Sequence, residues 1–157
     1  MTRDIHSDDN GLYVTGEVAG LGIDWLIDTG CTTTIMSSKT YKMIDRDRRP
    51  ELVNYGNRLR AANGQCIPVL GAAMMTIKLD SVDITHEVVV ADLTSPGIIG
   101  MDFLRSCKGS INLGTDSMNI EGVSVNTYGK LSDKRCHRVT LADTVTIPAE
   151  VGRLLLE

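Results

Sequence analysis

The sequence predicts an all-β domain, and three observations support this class. Aromatic residues make up only 4% of the chain, so the core must be built mainly from Val, Ile, Leu and Met. Short segments rich in β-branched residues alternate with turns that contain glycine. The pair Asn63-Gly64, between two apolar segments, is the strongest short signal for a β-hairpin. These features favour a core made of sheet.

Four hairpins are predicted in chain order. Residues 12–27 alternate apolar and polar positions on either side of the turn segment AGLG. Asn63-Gly64 predicts a second hairpin, with a type I′ turn in which both central residues have positive φ. The remaining strands are predicted at 74–79 and 82–91, with the turn at Asp80-Ser81, and in a last hairpin within 109–122.

Two segments predict short helices. The segment KTYKMIDRDRR, residues 39–49, predicts one that ends before Pro50, because the residue before a proline disfavours helical backbone. The segment MDFLRSC, residues 101–107, predicts one or two helical turns after Gly100. The charges at 45–49 are expected to form a solvated surface.

Composition narrows the classes of function. A net charge of −4 and a pI near 5.3 provide no broad cationic surface, so we expect no nucleic-acid partner. No apolar run approaches the roughly 18–20 residues that span a bilayer, and the N-terminus has no apolar signal core. We therefore expect one domain with tails, no membrane partner and a cytoplasmic location, with peptides or small molecules as ligands.

The cysteines and histidines predict neither a metal site nor a cofactor. No Cys-x-x-Cys pair occurs, and Cys136-His137 has no further ligands at a suitable spacing, so free thiols are expected. The histidines are scattered, and each is expected on the surface or in a loop. These residues are Cys31, Cys66, Cys107, Cys136, His6, His86 and His137.

The segment WLIDTGCTTTIMS, residues 25–37, carries the chemistry. An aspartate that follows a run of buried apolar residues has three possible environments. Its carboxylate is solvated, it accepts hydrogen bonds from backbone amides, or it is held in position for a chemical function. One carboxylate of ordinary pKa catalyses poorly at neutral pH, whereas two about 3 Å apart share one proton and offer an acid and a base together. No second Asp-Thr-Gly or Asp-Ser-Gly occurs in the 157 residues. Catalysis by Asp28 therefore requires a symmetric dimer, and the other reading is a carboxylate that caps a turn.

Three segments in order resemble retropepsin-like aspartic proteases, most closely the Pol protease of Ty3/gypsy-type LTR retrotransposons. They are WLIDTGCTTTIMS, LRAANGQCIPVLGAA and GIIGMDFLRS, and the similarity covers residues 12–121. The resemblance implies an all-β, closed retropepsin-like barrel of the acid-protease fold, with a flap hairpin and one short helix, as a homodimer. It also implies a polypeptide substrate, and virus-like particles within the cytoplasm as a further location.

The resemblance assigns roles to particular residues. Asp28 is implied as the acid and base that activates water, with Thr29 locking two catalytic loops together and Gly30 contacting the substrate backbone. The flap is implied over about Leu59 to Gly71, with its tip at Asn63 and Gly64. The substrate-facing flap residues are Ala61, Ala62, Asn63, Gly64, Gln65, Cys66 and Ile67, and the residues under the catalytic loop are Ile98, Ile99 and Gly100.

The chain also departs from the family pattern. Cys31 stands where Ala or Ser is usual, and an oxidised thiol beside Asp28 would weaken activity. Residues 1–11 are predicted as an N-terminal arm, 12–122 as the protease domain and 123–157 as a linker and extension, in which TVTIPAE resembles the segment leading into reverse transcriptase.

The expected function is aspartic endopeptidase action on a retrotransposon polyprotein. Two other functions stay open at this point. One is a cellular protease of the DNA-damage-inducible type, since TTTIMS also resembles that group's loop. The other is a dimeric peptide-binding module without catalysis.

Overall fold

The computed structural model describes residues 11–129 of the chain. Within this range it is mostly β, which confirms the predicted class. The strands are β1 (Leu12–Val18), β2 (Leu21–Ile27), β3 (Ile35–Ser37), β4 (Leu59–Arg60), β5 (Cys66–Ile67), β6 (Val69–Leu79), β7 (Val82–Ala91), β8 (Gly97–Ile99), β9 (Ser110–Asn112), β10 (Ser117–Ile120), β11 (Val123–Asn126) and β12 (Tyr128–Gly129). The helices are α1 (Ser38–Met43) and α2 (Met101–Ser106), so the single helix implied by the resemblance is wrong.

Six strands close into a barrel, as the resemblance implies. Their order is β1-β2-β8-β3-β7-β6, and β6 returns to β1 through the antiparallel pair Glu17 and Lys78. The side chains inside are almost entirely aliphatic, with Trp25 and Phe103 as the fully buried aromatic residues among those described. Closure leaves most strands of this sheet paired on both sides, which protects their backbone groups.

The first hairpin forms as predicted, and its turn is the two-residue connection Ala19-Gly20. Both residues have positive φ, 51° and 87°, which is the backbone of a type I′ turn. The pair β6–β7 also forms as predicted, with β7 at the expected residues 82–91. In the last hairpin β9 pairs with β10, and β11 adds a third strand.

The turn at Asn63-Gly64 differs from the predicted type I′. The Gly64 amide donates to the Ala61 carbonyl at 2.9 Å, and only Gly64 of the pair has positive φ, 88°. The hairpin loop is therefore the three residues 62–64, a turn followed by a left-handed glycine. The Asn63 side chain stabilises this form because its Oδ1 accepts the Gln65 amide at 2.9 Å.

Helix α1 ends well before Pro50, because tertiary contacts override the predicted length. Ile44, 1% exposed, leaves the helix and enters the core. The Arg49 guanidinium donates to the carbonyls of Lys42 at 2.7 Å and Ile44 at 2.9 Å, and so satisfies the end of the helix. Arg49 is thus half-buried rather than part of a solvated surface, while residues 45–48 are exposed as expected.

Strand β8 lies between β2 and β3 and connects the two sides of the predicted catalytic segment. It runs parallel to β2, with Ile27 opposite Ile99, and antiparallel to β3, with Ile35 opposite Ile98. Parallel strands end at the same edge of a sheet. The chain therefore leaves β2 at Asp28 and leaves β8 at Gly100 side by side.

Strand structure continues past residue 122. The compact unit is Leu12–Tyr128, and Val123–Asn126 is a strand where the sequence predicts a linker. The extents of the arm, domain and extension stay predictions, and Cys136, His6 and His137 lie outside the described residues. Neither helix within 11–129 has the length and apolar character needed to cross a membrane.

Candidate active site

Asp28 occupies the first position of the loop that follows β2. Its amide donates to the Ile99 carbonyl at 3.0 Å, which fixes the start of the loop on β8. Its side-chain Oδ1 accepts the Gly30 amide at 2.9 Å, and its carbonyl accepts the Cys31 amide at 3.1 Å. The carboxylate is thus held in one orientation while Asp28 is only half-buried.

Thr29 and Gly30 form the exposed tip of this loop. A Cβ on Gly30 would lie 3.3 Å from Asp28 Oδ1, tighter than ordinary van der Waals contact, so glycine allows the close approach of its amide. No described residue hydrogen-bonds the Thr29 hydroxyl. The tip therefore presents a carboxylate, a hydroxyl and glycine backbone to the outside.

Residues 98–102 form a platform under the loop. Ile99 is fully buried, and the amides of Met101 and Asp102 donate to the carbonyls of Cys31 at 2.8 Å and Thr32 at 3.2 Å. A Cβ on Gly100 would lie 2.6 Å from the Thr33 carbonyl oxygen, closer than real Cβ atoms approach. Ile99 and Gly100 thus contact this loop directly, whereas Ile98 pairs with Leu26 of β2 and Ile35 of β3. Their role in holding the loop rigid stays a prediction.

Asp102 is a central residue of the site that sequence reasoning missed. Its Oδ1 accepts the Thr34 hydroxyl at 2.7 Å, its Oδ2 accepts the Thr34 amide at 3.2 Å, and His86 Nε2 lies 3.0 Å from Oδ2. Partial burial raises the pKa of Asp102, but the His86 and Thr34 contacts outweigh it, so the pKa lies below its ordinary value. Asp102 is therefore an ionised anchor for the loop.

The segment predicted as the flap forms the hairpin β4–β5. Residues 62–66 are exposed, Ala61 and Ile67 are half-buried, and the Arg60 guanidinium donates to the Gly64 carbonyl at 3.0 Å. Its base packs into an apolar group, here called the flap-base cluster, that includes the thiol next to Asp28. The members of this cluster are Ile35, Leu59, Ala72, Val89 and Ala91, with Cys31, Tyr55, Ile67, Val69 and Leu93 at its edge.

Comparison with known proteins then decides the family. Residues 14–106, more than half of the chain, match the model of a family described as "gag-polyprotein putative aspartyl protease". The chain belongs to this aspartyl protease family. The match includes the Asp28 loop, the hairpin β4–β5 and all of helix α2, and so confirms the resemblance inferred from three segments.

Solved protease structures share the fold. The retroviral protease-like domain of Ddi1 from Leishmania major superposes with a TM-score of 0.63 at 21% identity, covering 76% of this chain and 94% of that domain. The EIAV protease complexed with the inhibitor HBY-793 gives 0.57 at 19% identity, covering 72% of this chain and 100% of the viral protein. Likenesses at such identities establish the retropepsin-like fold.

A sequence relative in Caenorhabditis elegans is much longer than this chain. "Uncharacterized protein K02A2.6" is 29% identical over 91 residues, which cover 58% of this chain. The aligned region spans only 7% of that relative. The aspartyl protease region of this chain therefore corresponds to a small part of the worm protein.

Cys31 is the departure from the usual family pattern nearest to Asp28. Burial raises the pKa of its thiol, and the carboxylates of Asp28 and Asp102 raise it further, although the bond from Sγ to the Thr33 carbonyl, at 3.1 Å, opposes them. The thiolate is the form that reacts with oxidants. Its environment therefore disfavours the oxidation considered from the sequence. Among residues 11–129, no three His, Cys, Asp or Glu residues are grouped to hold a metal ion.

Proposed function

We propose that this family member is an aspartic endopeptidase whose active site forms when two copies of the chain bring their Asp28 side chains together on a two-fold axis. The observation that carries the proposal is the geometry of the loop. The Asp28 carboxylate is oriented by Gly30 at an exposed tip, while the loop backbone behind it, at Cys31 and Thr32, is hydrogen-bonded to the platform, whose Ile99 is fully buried. Rigid support under an accessible carboxylate is what a catalytic group needs.

A second copy supplies what one chain lacks. Only one Asp-Thr-Gly is present in the sequence, and one carboxylate of ordinary pKa is a weak catalyst near neutral pH. Two carboxylates in contact cannot both ionise, so the pair holds one proton, as in the well-known dyad of aspartic proteases. The exposed Thr29 hydroxyl is available to bond with the partner's loop and fix the distance between the two carboxylates.

The reaction follows from this shared proton. The ionised Asp28 takes a proton from water as the water oxygen attacks the scissile carbonyl, and the protonated Asp28 donates its proton to the carbonyl oxygen. Collapse of the tetrahedral intermediate breaks the C–N bond, and a proton passes to the leaving amine. The enzyme forms no covalent bond with the substrate, so both carboxylates return to their starting state.

The proposed substrate is an extended peptide segment of a retrotransposon polyprotein, bound as an added strand under the flap. The family description, which names a gag-polyprotein, and the retrotransposon-type sequence pattern support this substrate. A cellular protease of the Ddi1 type is the second candidate, favoured by the TM-score of 0.63 to the Leishmania domain. Cleavage of peptides that span junctions of the element's own polyprotein would favour the first candidate, and cleavage of cellular peptides alone the second.

The test of catalysis is Asp28→Asn, with Asp83→Asn as matched control. Asp83 is an exposed carboxylate on β7 opposite Lys78, so its loss leaves the loop intact. We expect Asp28→Asn to abolish peptide cleavage in a mass-spectrometric assay without changing the circular dichroism spectrum, because an amide cannot share the proton. Asp83→Asn should cleave at the normal rate.

The result separates the enzyme from a binding module. A pepstatin-like mimic of the transition state should bind the native protein far more tightly than Asp28→Asn. Turnover that persists in Asp28→Asn would contradict the proposed role of this residue. Peptide binding without product, in both the native chain and the variant, would instead establish the non-catalytic module.

A further inference from the structure

His86 stands at a core-facing position of the barrel. Its neighbours along the same face of β7 are Val82, Ile84, Val88 and Val90, which are all buried. It lies opposite the buried Met75 of β6, and its ring packs edge-on against Phe103 with centroids 5.5 Å apart. The side chain is 15% exposed, so this imidazole is largely withdrawn from water and needs a polar partner.

That partner is Asp102. The strength of this contact depends more on whether the imidazole is charged than on the direction of its N–H group. Nε2 lies 3.0 Å from Asp102 Oδ2, yet the ring N–H does not point along this line and makes no aligned hydrogen bond. A neutral imidazole gains little from such a contact, because a hydrogen bond weakens steeply when it is misaligned. An imidazolium gains much more, since attraction between opposite charges has no such directional requirement.

Asp102 transmits this contact to the catalytic loop. Its Oδ1 holds the Thr34 hydroxyl at 2.7 Å, and the same hydroxyl oxygen accepts the Gly100 amide at 3.1 Å. The Asp102 amide donates to the Thr32 carbonyl at 3.2 Å. Thr34, which is fully buried, closes the loop that begins at Asp28. A continuous set of contacts thus runs from His86 through Asp102 and Thr34 to Gly100 of the platform.

We propose that His86 is a positioning residue for the catalytic loop: its protonation tightens the hold of Asp102 on Thr34, and so gives activity a pH dependence separate from the Asp28 pair. The catalytic half of this proposal rests on the proposed function. The structural half, coupling of His86 protonation to the loop, does not depend on it.

The surroundings identify His86 as the group that changes charge. From α2 the facing group is Asp102, whose pKa lies below its ordinary value, so it stays ionised in the range near neutral pH. From β6 the facing side chain is Met75, and the adjacent Thr85 and Glu87 of β7 are exposed on the opposite face. From the loop, Cys31 has its pKa raised and stays a neutral thiol. An imidazole is the type of side chain that changes charge near neutral pH, where the Asp102 carboxylate is ionised and the Cys31 thiol is neutral.

The first experiment follows amide NMR signals of the full chain carrying Asp28→Asn, which prevents self-cleavage, from pH 8 to pH 5. We expect the amides of Thr34 and Gly100 to shift with the same midpoint as the His86 imidazole. That shift should vanish when His86→Gln is added, because glutamine donates a hydrogen bond without titrating. It should persist when Glu87→Gln is added instead, since Glu87 is the exposed neighbour. Loop amides that ignore the His86 midpoint would overturn the proposal.

The second experiment measures kcat and KM against pH in chains with Asp28 intact. The native profile of kcat should contain an ionisation worth about fivefold that is missing in His86→Gln, with KM nearly unchanged, a size at the low end of coupling between sites. Identical profiles for the two chains would overturn the catalytic half even if the NMR coupling is present. If the native chain cleaves nothing, the proposed function fails while the NMR result still decides the structural half.

Discussion

Gly100 shows how closely a single residue can be constrained by the loop that carries Asp28. Two carbonyl oxygens, of Thr33 and Cys31, lie 2.6 Å and 2.8 Å from the position where a Cβ would be. The Cys31 carbonyl accepts the Met101 amide and the Thr33 carbonyl accepts the Cys31 thiol, and neither backbone atom can rotate away like a flexible side chain. Any side chain at this position must push the loop off β8.

We therefore expect Gly100→Ala to lower the free energy of unfolding by about 1–3 kcal/mol, the usual cost of overpacking, and to abolish cleavage. Gly22→Ala is the matched control, because Gly22 is in a strand with no atom within 4 Å of the added methyl group. Urea denaturation and a peptide assay measure the two effects. Equal stability and activity for the two variants would show that the loop is not held as tightly as this contact requires.

The residues of the site differ in how far sequence could identify them. Asp28, Thr29 and Gly30 are adjacent, so one motif locates them. Asp102 meets Thr34 from a position 68 residues away, and its role depends on a contact that spacing does not reveal. His86 did leave a signal: in VDITHEVVVA it occupies an apolar place in the alternating pattern, which indicates an inward-facing histidine rather than the expected surface one.

Among the secondary-structure elements near the site, the flap hairpin β4–β5 has the fewest residues in its strands and an exposed tip. Each strand has two residues. Gly64, at φ 88°, has no atom within 4 Å of the position that a Cβ would take, so a substitution there acts through backbone conformation alone. Few packing contacts of the barrel depend on it.

Gly64→Ala should therefore raise KM about fivefold, since the left-handed backbone costs a residue with a Cβ about 1–2 kcal/mol. The melting temperature should change little, because the exposed hairpin can relieve this strain by a local change of conformation. Gly64→Asn is the control, because asparagine tolerates this conformation better than other residues. Steady-state kinetics on one peptide measure the difference. A large fall in melting temperature for Gly64→Ala would mean that the flap contributes to the core, contrary to its exposure.

The predicted boundaries of strands and helices agree with the structure where they depend on residues close together in sequence. Strand β7 begins and ends as predicted because alternation and the two-residue turn are both local. Helix α1 is shorter than predicted because Ile44 is drawn into the core and Arg49 returns to cap Lys42. The flap turn changed type because the Asn63 side chain bonds the backbone, a choice that the dipeptide alone does not specify.

At the scale of the whole molecule, the proposed two-chain site makes a quantitative prediction. When a threefold excess of Asp28→Asn is mixed with native chain, about a quarter of the native activity should remain, because mass action places most native chains in dimers with one carboxylate. A threefold excess of Asp83→Asn should raise activity instead. Activity unchanged by Asp28→Asn after prolonged mixing would indicate that a single chain contains the complete site.

The barrel as a whole was recognised through three separated segments rather than through composition. Composition and periodicity led only to a sheet-based core, since hairpins of this kind occur in many β folds. Closure through Glu17 and Lys78 joins strands that local pattern does not connect. The order of the three motifs predicted the closed barrel, because this order is typical of a protein family with that fold rather than of a local backbone preference.

The insertion of β8 between β2 and β3 has a consequence for the timing of synthesis. A ribosome makes Asp28 and β3 long before it makes residues 97–100, yet the loop takes its hydrogen bonds from Ile99, Gly100 and Met101. A nascent chain that ends before this point has the acid but lacks the support that orients it. Under the proposed function, cleavage therefore cannot begin until nearly the whole domain has emerged.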